Sequence, residues 1–138
     1  MKIYFAGSIR GGREKAGDYK KIIEKLSTFS EVLTEHIGNK ELSSHGEVSR
    51  TDEEIYVRDV SWIDEADIIV ADVTVASLGV GYELGYGEAR GKKILCLYEE
   101  SEGKRLSAMI SGNKTMKVVK YSDINSLIPK LEEIINSL

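Results

Sequence analysis

The chain has 138 residues, 41% hydrophobic and 30% charged, with a formal net charge of −4, one cysteine, one proline and one tryptophan. This length suits one domain with a real core, and the composition excludes bulk disorder and low-complexity scaffolds. The single cysteine excludes a disulfide framework and a multi-cysteine metal centre, no apolar run reaches the ~20 residues that span a bilayer, and the mild acidity supplies no basic stripe for a nucleic-acid polymer.

Met1-Lys2-Ile3-Tyr4-Phe5 lacks the apolar length and cleavage pattern of a secretion signal, so a reducing cytoplasm is the simplest expected home. Lys2–Ala6 predicts a first strand. Ala16, Tyr19, Ile22, Ile23, Leu26 and Phe29 then recur at helical spacing. Residues 32–34 predict a short second strand and 39–50 a polar loop. Thr51-Asp52-Glu53-Glu54 fits a capping box that opens a helix, with Ile55, Trp62, Ile63 and Ala66 on its apolar face. Residues 67–73 predict a third strand buried on both faces. A loop over 74–79 leads to a helix over 80–90 ended by Gly91. A fourth strand over 93–98, a short helical piece over 106–110 and a fifth strand over 116–119 follow. Leu127, Ile128, Leu131, Ile134, Ile135 and Leu138 form a last amphipathic helix, and Pro129, comfortable only in a first turn, sets its start near Ser126.

No linker or repeat interrupts this pattern, so residues 1–138 are read as one domain. Strands alternating with helices predict an α/β fold. The expected form is a doubly wound five-stranded parallel sheet of the Rossmann or flavodoxin type, in order 2-1-3-4-5 with helices on both faces. Such sheets bind ligands beyond the carboxyl ends of their strands, where the strand order reverses.

Gly7-Ser8-Ile9-Arg10-Gly11-Gly12-Arg13 follows the first strand. Its glycines let backbone approach a ligand and Arg10 adds charge, with a glycine-rich turn carrying a solvated Arg as the lesser alternative. No phosphate-cradle motif fits its spacing. The segment 77–85 imitates a dinucleotide fingerprint, but its third glycine is one residue late. Glu83 falls in the expected first helical turn, where a carboxylate also favours the helix dipole. Asp59 lies four residues after Ile55 and three before Trp62, beside an apolar face where carboxylates are rare unless paired or functional; a capping or salt-bridge role with Arg58 or Arg90 is the alternative to a functional one. Two such carboxylates serve glycosyl chemistry as nucleophile and general acid, because one ionised group raises the proton affinity of the other. His36 and His45 lack metal-ligand spacing, and Cys96 reads as a core thiol.

The stretches 3–14, Val32-Leu33-Thr34-Glu35-His36, Asp59-Val60-Ser61-Trp62, 77–85, Ile94-Leu95-Cys96-Leu97 and Leu106-Ser107-Ala108-Met109-Ile110 carry a wider resemblance. In this order they resemble the 2′-deoxynucleoside 5′-monophosphate N-glycosidases, within the nucleoside 2-deoxyribosyltransferase group. The resemblance implies Glu83 as nucleophile, Asp59 as the acid at the departing base and Tyr4 beside sugar and nucleophile. It implies substrate contacts at Gly7, Ser8, Ile9, Arg10, Gly11, Gly12, Ser77 and Gly79, with Tyr19 and His36 at pocket positions. A homodimer is implied too, with Ser107, next to Ala108 and Met109, completing the neighbouring phosphate site. It implies a deoxynucleoside monophosphate substrate, no cofactor, no metal, no polymer and no membrane. Base transfer by a deoxyribosyltransferase and nucleotide binding without catalysis are the alternatives.

Overall fold

The computed structural model of the chain describes residues 1–9, 15–36 and 50–138. Five strands, β1 (Lys2–Ala6), β2 (Glu31–Leu33), β3 (Ile68–Asp72), β4 (Lys93–Glu99) and β5 (Met116–Tyr121), pair in parallel in the order β2-β1-β3-β4-β5. Around them lie α1 (Ala16–Ser27), α2 (Asp52–Glu65), α3 (Leu78–Ala89), α4 (Ala108–Ser111), α5 (Ile124–Leu127) and α6 (Leu131–Asn136). The expected class and strand order are both found. Among the described residues, no helix is long and apolar enough to cross a membrane.

Period-2 alternation assigns each strand residue to one of two cores. Ile3, Phe5, Ile68, Val70, Leu95 and Leu97 pack against Ile22 and Leu26 of α1 and against Leu127, Leu131 and Ile135. Tyr4, Ala6, Ile69, Ala71, Ile94 and Cys96 face the other way, toward Ile63 of α2 and toward Val80 and Leu84 of α3. All five residues of β3 are buried, as expected for a central strand covered on both faces. The order reverses between β1 and β3, so the loops leaving these two strands flank the crevice where ligands bind.

Several boundaries differ from expectation, each for a local reason. Thr51 caps α2 as expected, its Oγ1 accepting from Glu54 N at 3.1 Å, while its hydroxyl donates to the Glu54 carboxylate at 3.1 Å. Helix α3 opens at Leu78, two residues early, because the Ser77 side chain accepts from Val80 N. Gly91 ends that helix with a φ of 73°, a left-handed conformation that glycine adopts without strain. Strand β5 runs on to Tyr121 and β4 to Glu99. The last amphipathic segment begins at Ile124, before Ser126, because Asp123 caps it through Asn125 N. Pro129 sits in a short 3-10 turn (Ile128–Lys130) that divides α5 from α6. Of the predicted polar loop, all but Arg50 lies outside the described residues.

Candidate active site

Three elements converge on the face of the sheet that carries α2 and α3. Tyr4 reaches it from β1, because its parity sets it opposite Ile3 and Phe5. Asp59 comes from the inner face of α2 and is only 7% exposed. Glu83 comes from the second turn of α3. The earlier helix start moves Glu83 out of the first turn, so the dipole explanation for it loses force.

Carboxylate oxygens of Glu35, Asp59 and Glu83 lie within 4.8 Å of one another. Arg58 ties two of them together. Its Nε donates to Asp59 Oδ1 at 3.0 Å and its terminal nitrogen to Glu35 Oε2 at 3.1 Å, while its guanidinium lies 4.7 Å from the centre of the Trp62 ring. A divalent cation also spans carboxylates at this spacing, but here a guanidinium already serves two of the three.

The Tyr4 hydroxyl faces the Glu83 carboxyl and favours its ionised form. Glu83 as a whole keeps some surface, but its carboxyl end is packed among protein atoms. That burial pushes its pKa up to about 8, and the charges of Glu35 and Asp59 push the same way, against the pull of the Tyr4 hydroxyl. Burial and then the negative charge of Glu83 and Asp59 hold the Tyr4 hydroxyl well above its ordinary range, so it remains a donor. A cavity of about 290 Å³ between α2 and α3 opens onto Asp59 and Glu83, with the exposed rings of Tyr56 and Tyr82 at its rim. Gly79 keeps space open there, since a Cβ at this position would lie 3.8 Å from Ser77 Oγ and 3.9 Å from Glu83 Oε1.

The remaining predicted residues fall into three groups. Gly7, Ser8 and Ile9 leave β1 at the crevice, and Arg10, Gly11 and Gly12 lie outside the described residues. Tyr19 and His36 brace this loop from beneath. Tyr19 is 3% exposed and its hydroxyl accepts from Ser8 N at 3.2 Å. His36 Nε2 lies 3.2 Å from the Gly7 carbonyl, and its ring stands edge-on to Phe5 and Tyr19. Ser107 caps α4 and, with Ser77, lines a separate groove of about 520 Å³ on the far side of α3. Ala108 and Met109 follow it on the surface.

Glu35 had no assigned role in the sequence, and its signal was faint: an acid directly after a short strand beside His36. Arg58 stood there as a candidate ion-pair partner of Asp59, and the structure makes that pair.

A family model described as nucleoside 2-deoxyribosyltransferase matches residues 3–122. The chain is 54% identical over 113 residues to a 5-hydroxymethyl-dUMP N-hydrolase of Tetraodon nigroviridis, across 81% of this chain and 80% of the relative. To the 5-hydroxymethyl-dUMP N-hydrolase of Danio rerio it is 49% identical over 123 residues, across 89% and 86%. A solved 2-deoxyribosyltransferase from Bacillus psychrosaccharolyticus matches its fold with a TM-score of 0.67 at 18% identity, across 93% of this chain and 90% of that one.

Proposed function

The chain belongs to the nucleoside 2-deoxyribosyltransferase family, and from that premise we propose how its residues hydrolyse the N-glycosidic bond of a 2′-deoxynucleoside 5′-monophosphate. The N-hydrolase names of its relatives support hydrolysis as the reaction. The observation that carries the mechanism is the short separation of Glu83 and Asp59 oxygens, within 4.8 Å. Carboxyl pairs about 5 Å apart suit a nucleophile with an acid beside it, whereas pairs separated by about 6.5–9.5 Å leave room for an inverting water.

Ionised Glu83 attacks C1′ as the bond to the base breaks through an oxocarbenium-like state. Asp59 gives a proton to the departing base, and the Tyr4 hydroxyl steadies the Glu83 carboxylate. A water then attacks C1′, Asp59 takes one of its protons, Glu83 departs as carboxylate, and 2-deoxyribose 5-phosphate leaves. Ser8, Arg10, Ser77 and first-turn N–H groups of α3 hold the phosphate and turn C1′ toward Glu83. The cavity rimmed by Tyr56 and Tyr82 receives the base.

A homodimer completes the site, with Ser107 of a second copy reaching the phosphate. This reading is supported by the exposed apolar side chains that flank the Ser77–Ser107 groove, Leu78 at 96% and Met109 at 82%.

Product analysis over a panel of deoxynucleoside monophosphates, nucleoside monophosphates and deoxynucleosides tests the reaction. Release of 2-deoxyribose 5-phosphate from the first class is expected, with Glu83→Ala inactive. Undiminished hydrolysis by Glu83→Ala sinks the nucleophile assignment. Base exchange with an added free base, independent of the 5′-phosphate, identifies a transferase instead.

A further inference from the structure

A second polar cluster occupies the opposite face of the same sheet edge. Asp72, Glu99 and Tyr121 are the last residues of β3, β4 and β5, so all three stand at the carboxyl end, and Glu99 pairs with Tyr121 in register. Lys15, the residue before α1, meets them from the other side. It is 7% exposed, and its Nζ donates to Asp18 at 2.7 Å, to Glu99 at 2.8 Å and to the Tyr121 hydroxyl at 2.9 Å. The Tyr121 hydroxyl passes the chain on, donating to Asp72 Oδ2 at 2.8 Å. Asp72 is fully buried, and its Oδ1 accepts from Thr74 N at 3.0 Å. Thr74 Oγ1 in turn accepts from Glu99 N at 2.9 Å.

Buried ion pairs are weak stabilisers compared with an apolar core, but a fully bonded polar network fixes geometry. Burial opposes the charge on Lys15, yet hydrogen bonds to Asp18, Glu99 and Tyr121 outweigh it and keep the ammonium protonated. Each end of this network holds a loop at the crevice. Lys15 opens α1, and one turn later Tyr19 anchors Ser8 through its hydroxyl. Asp72 and Thr74 start the segment that runs to Ser77 and then to Glu83.

We propose that Lys15, Tyr121 and Asp72 are positioning residues that lock the entry of α1 to the turn after β3, and so hold the two loops flanking the crevice at one separation. The consequence for catalysis rests on the proposed function, because those loops carry the expected phosphate contacts. The unit works from behind the sheet and touches no substrate.

Tyr121→Phe is the mild test, since it keeps the ring in the core and removes only the hydroxyl that joins Lys15 to Asp72. Hydrogen exchange at the Ser8 amide and at the amides of residues 74–77 accelerates together, by about fivefold or more, while β1 and α6 stay protected. For a deoxynucleoside monophosphate, kcat/KM falls about tenfold, mainly through KM, while the matching deoxynucleoside changes by less than about twofold. Lys15→Met gives the same two patterns. Exchange that rises only beside residue 121, or not at all, overturns the linkage. An equal fall for both substrates overturns the positioning role. A wild-type enzyme indifferent to the 5′-phosphate instead defeats the phosphate reading, and the exchange data still decide whether the two loops are joined.

Discussion

Tyr4, in the middle of a buried strand, turns its hydroxyl toward the Glu83 carboxyl of α3 beneath the crevice. Its hydroxyl favours the ionised carboxylate and so opposes the burial that lifts Glu83 to about 8. In the proposed mechanism the Glu83–Asp59 pair must carry one proton, which Asp59 holds when Glu83 attacks, so kcat/KM for a deoxynucleoside monophosphate falls as pH rises above about 8, where the pair loses that proton. Tyr4→Phe removes the hydroxyl that favours ionised Glu83, and this falling limb moves up by about one pH unit. A profile that is flat between about pH 6 and 9, or unmoved by Tyr4→Phe, contradicts the assignment.

The same shift costs the folded state stability. The Glu83 carboxyl lies above its ordinary value in the folded chain, so between about 4.5 and about 8 the unfolded chain ionises it while the folded chain keeps the proton. Its contribution therefore declines as pH rises through that window and is constant outside it. Glu83→Gln removes the decline. Urea unfolding should find the variant more stable than wild type at pH 8 by roughly 2–4 kcal/mol beyond any difference at pH 4.5, although kcat drops by about 10³-fold or more. An equal stability difference at both pH values means that the carboxyl is not held protonated.

Asp59 is tested through the leaving group. Asp59→Asn keeps an oxygen for the Arg58 Nε bond but loses the transferable proton. With a natural base, kcat falls about 10²–10⁴-fold. With a 2-deoxyribosyl 5-phosphate carrying an aryl leaving group that needs no proton, the loss shrinks below about tenfold. Equal losses on both substrates assign Asp59 to structure.

Gly7 stands where the loop leaves β1 across the Tyr19 ring. A Cβ there would lie 2.8 Å from Tyr19 Cε2 and 3.0 Å from Cζ, and the ring is itself buried against Phe5 and His36. Gly7→Ala therefore displaces Tyr19, weakens its bond to Ser8 N and destabilises the fold by about 1–3 kcal/mol. Adding Tyr19→Leu to Gly7→Ala recovers part of that loss in thermal unfolding. If Gly7→Ala is neutral alone, the close approach has no energetic role.

These residues were unequally legible in the sequence. Asp59 follows from local periodicity, because an acid beside an apolar helical face is decided within a few positions, whereas Tyr4 came only through the family resemblance. The parallel order follows from strands alternating with helices. Glu83 was visible as a residue but not in its setting, since the Ser77 cap moved the helix start and with it the turn that Glu83 occupies. Pro129 suggested a later start than Asp123 imposes, because a cap outside the apolar repeat decides where the turn begins. The Lys15–Tyr121–Asp72 linkage was invisible for a different reason. Its bonds join residues 106 and 49 positions apart, and no local rule states which strand ends will meet.

The proposed dimer has a sharper test than oligomeric state alone. Ser107 lines, with Ser77, a groove on the far side of α3 from the Asp59–Glu83 cavity, and under the proposed function it serves the phosphate site of a second copy. Leu78→Asp places a charge on the most exposed apolar residue of that groove and should yield monomers in sedimentation, with a raised KM for the monophosphate. Complementation then separates a shared site from a merely stable pair. Glu83→Ala is inactive and Ser107→Ala is impaired when each is assayed alone. In a mixed dimer, the subunit that retains Glu83 receives Ser107 from its partner, so one of the two sites is intact. Random reassortment of equal amounts makes half of the dimers mixed and restores roughly a quarter of wild-type activity. Activity equal to the average of the two variants means that each chain supplies its own phosphate site.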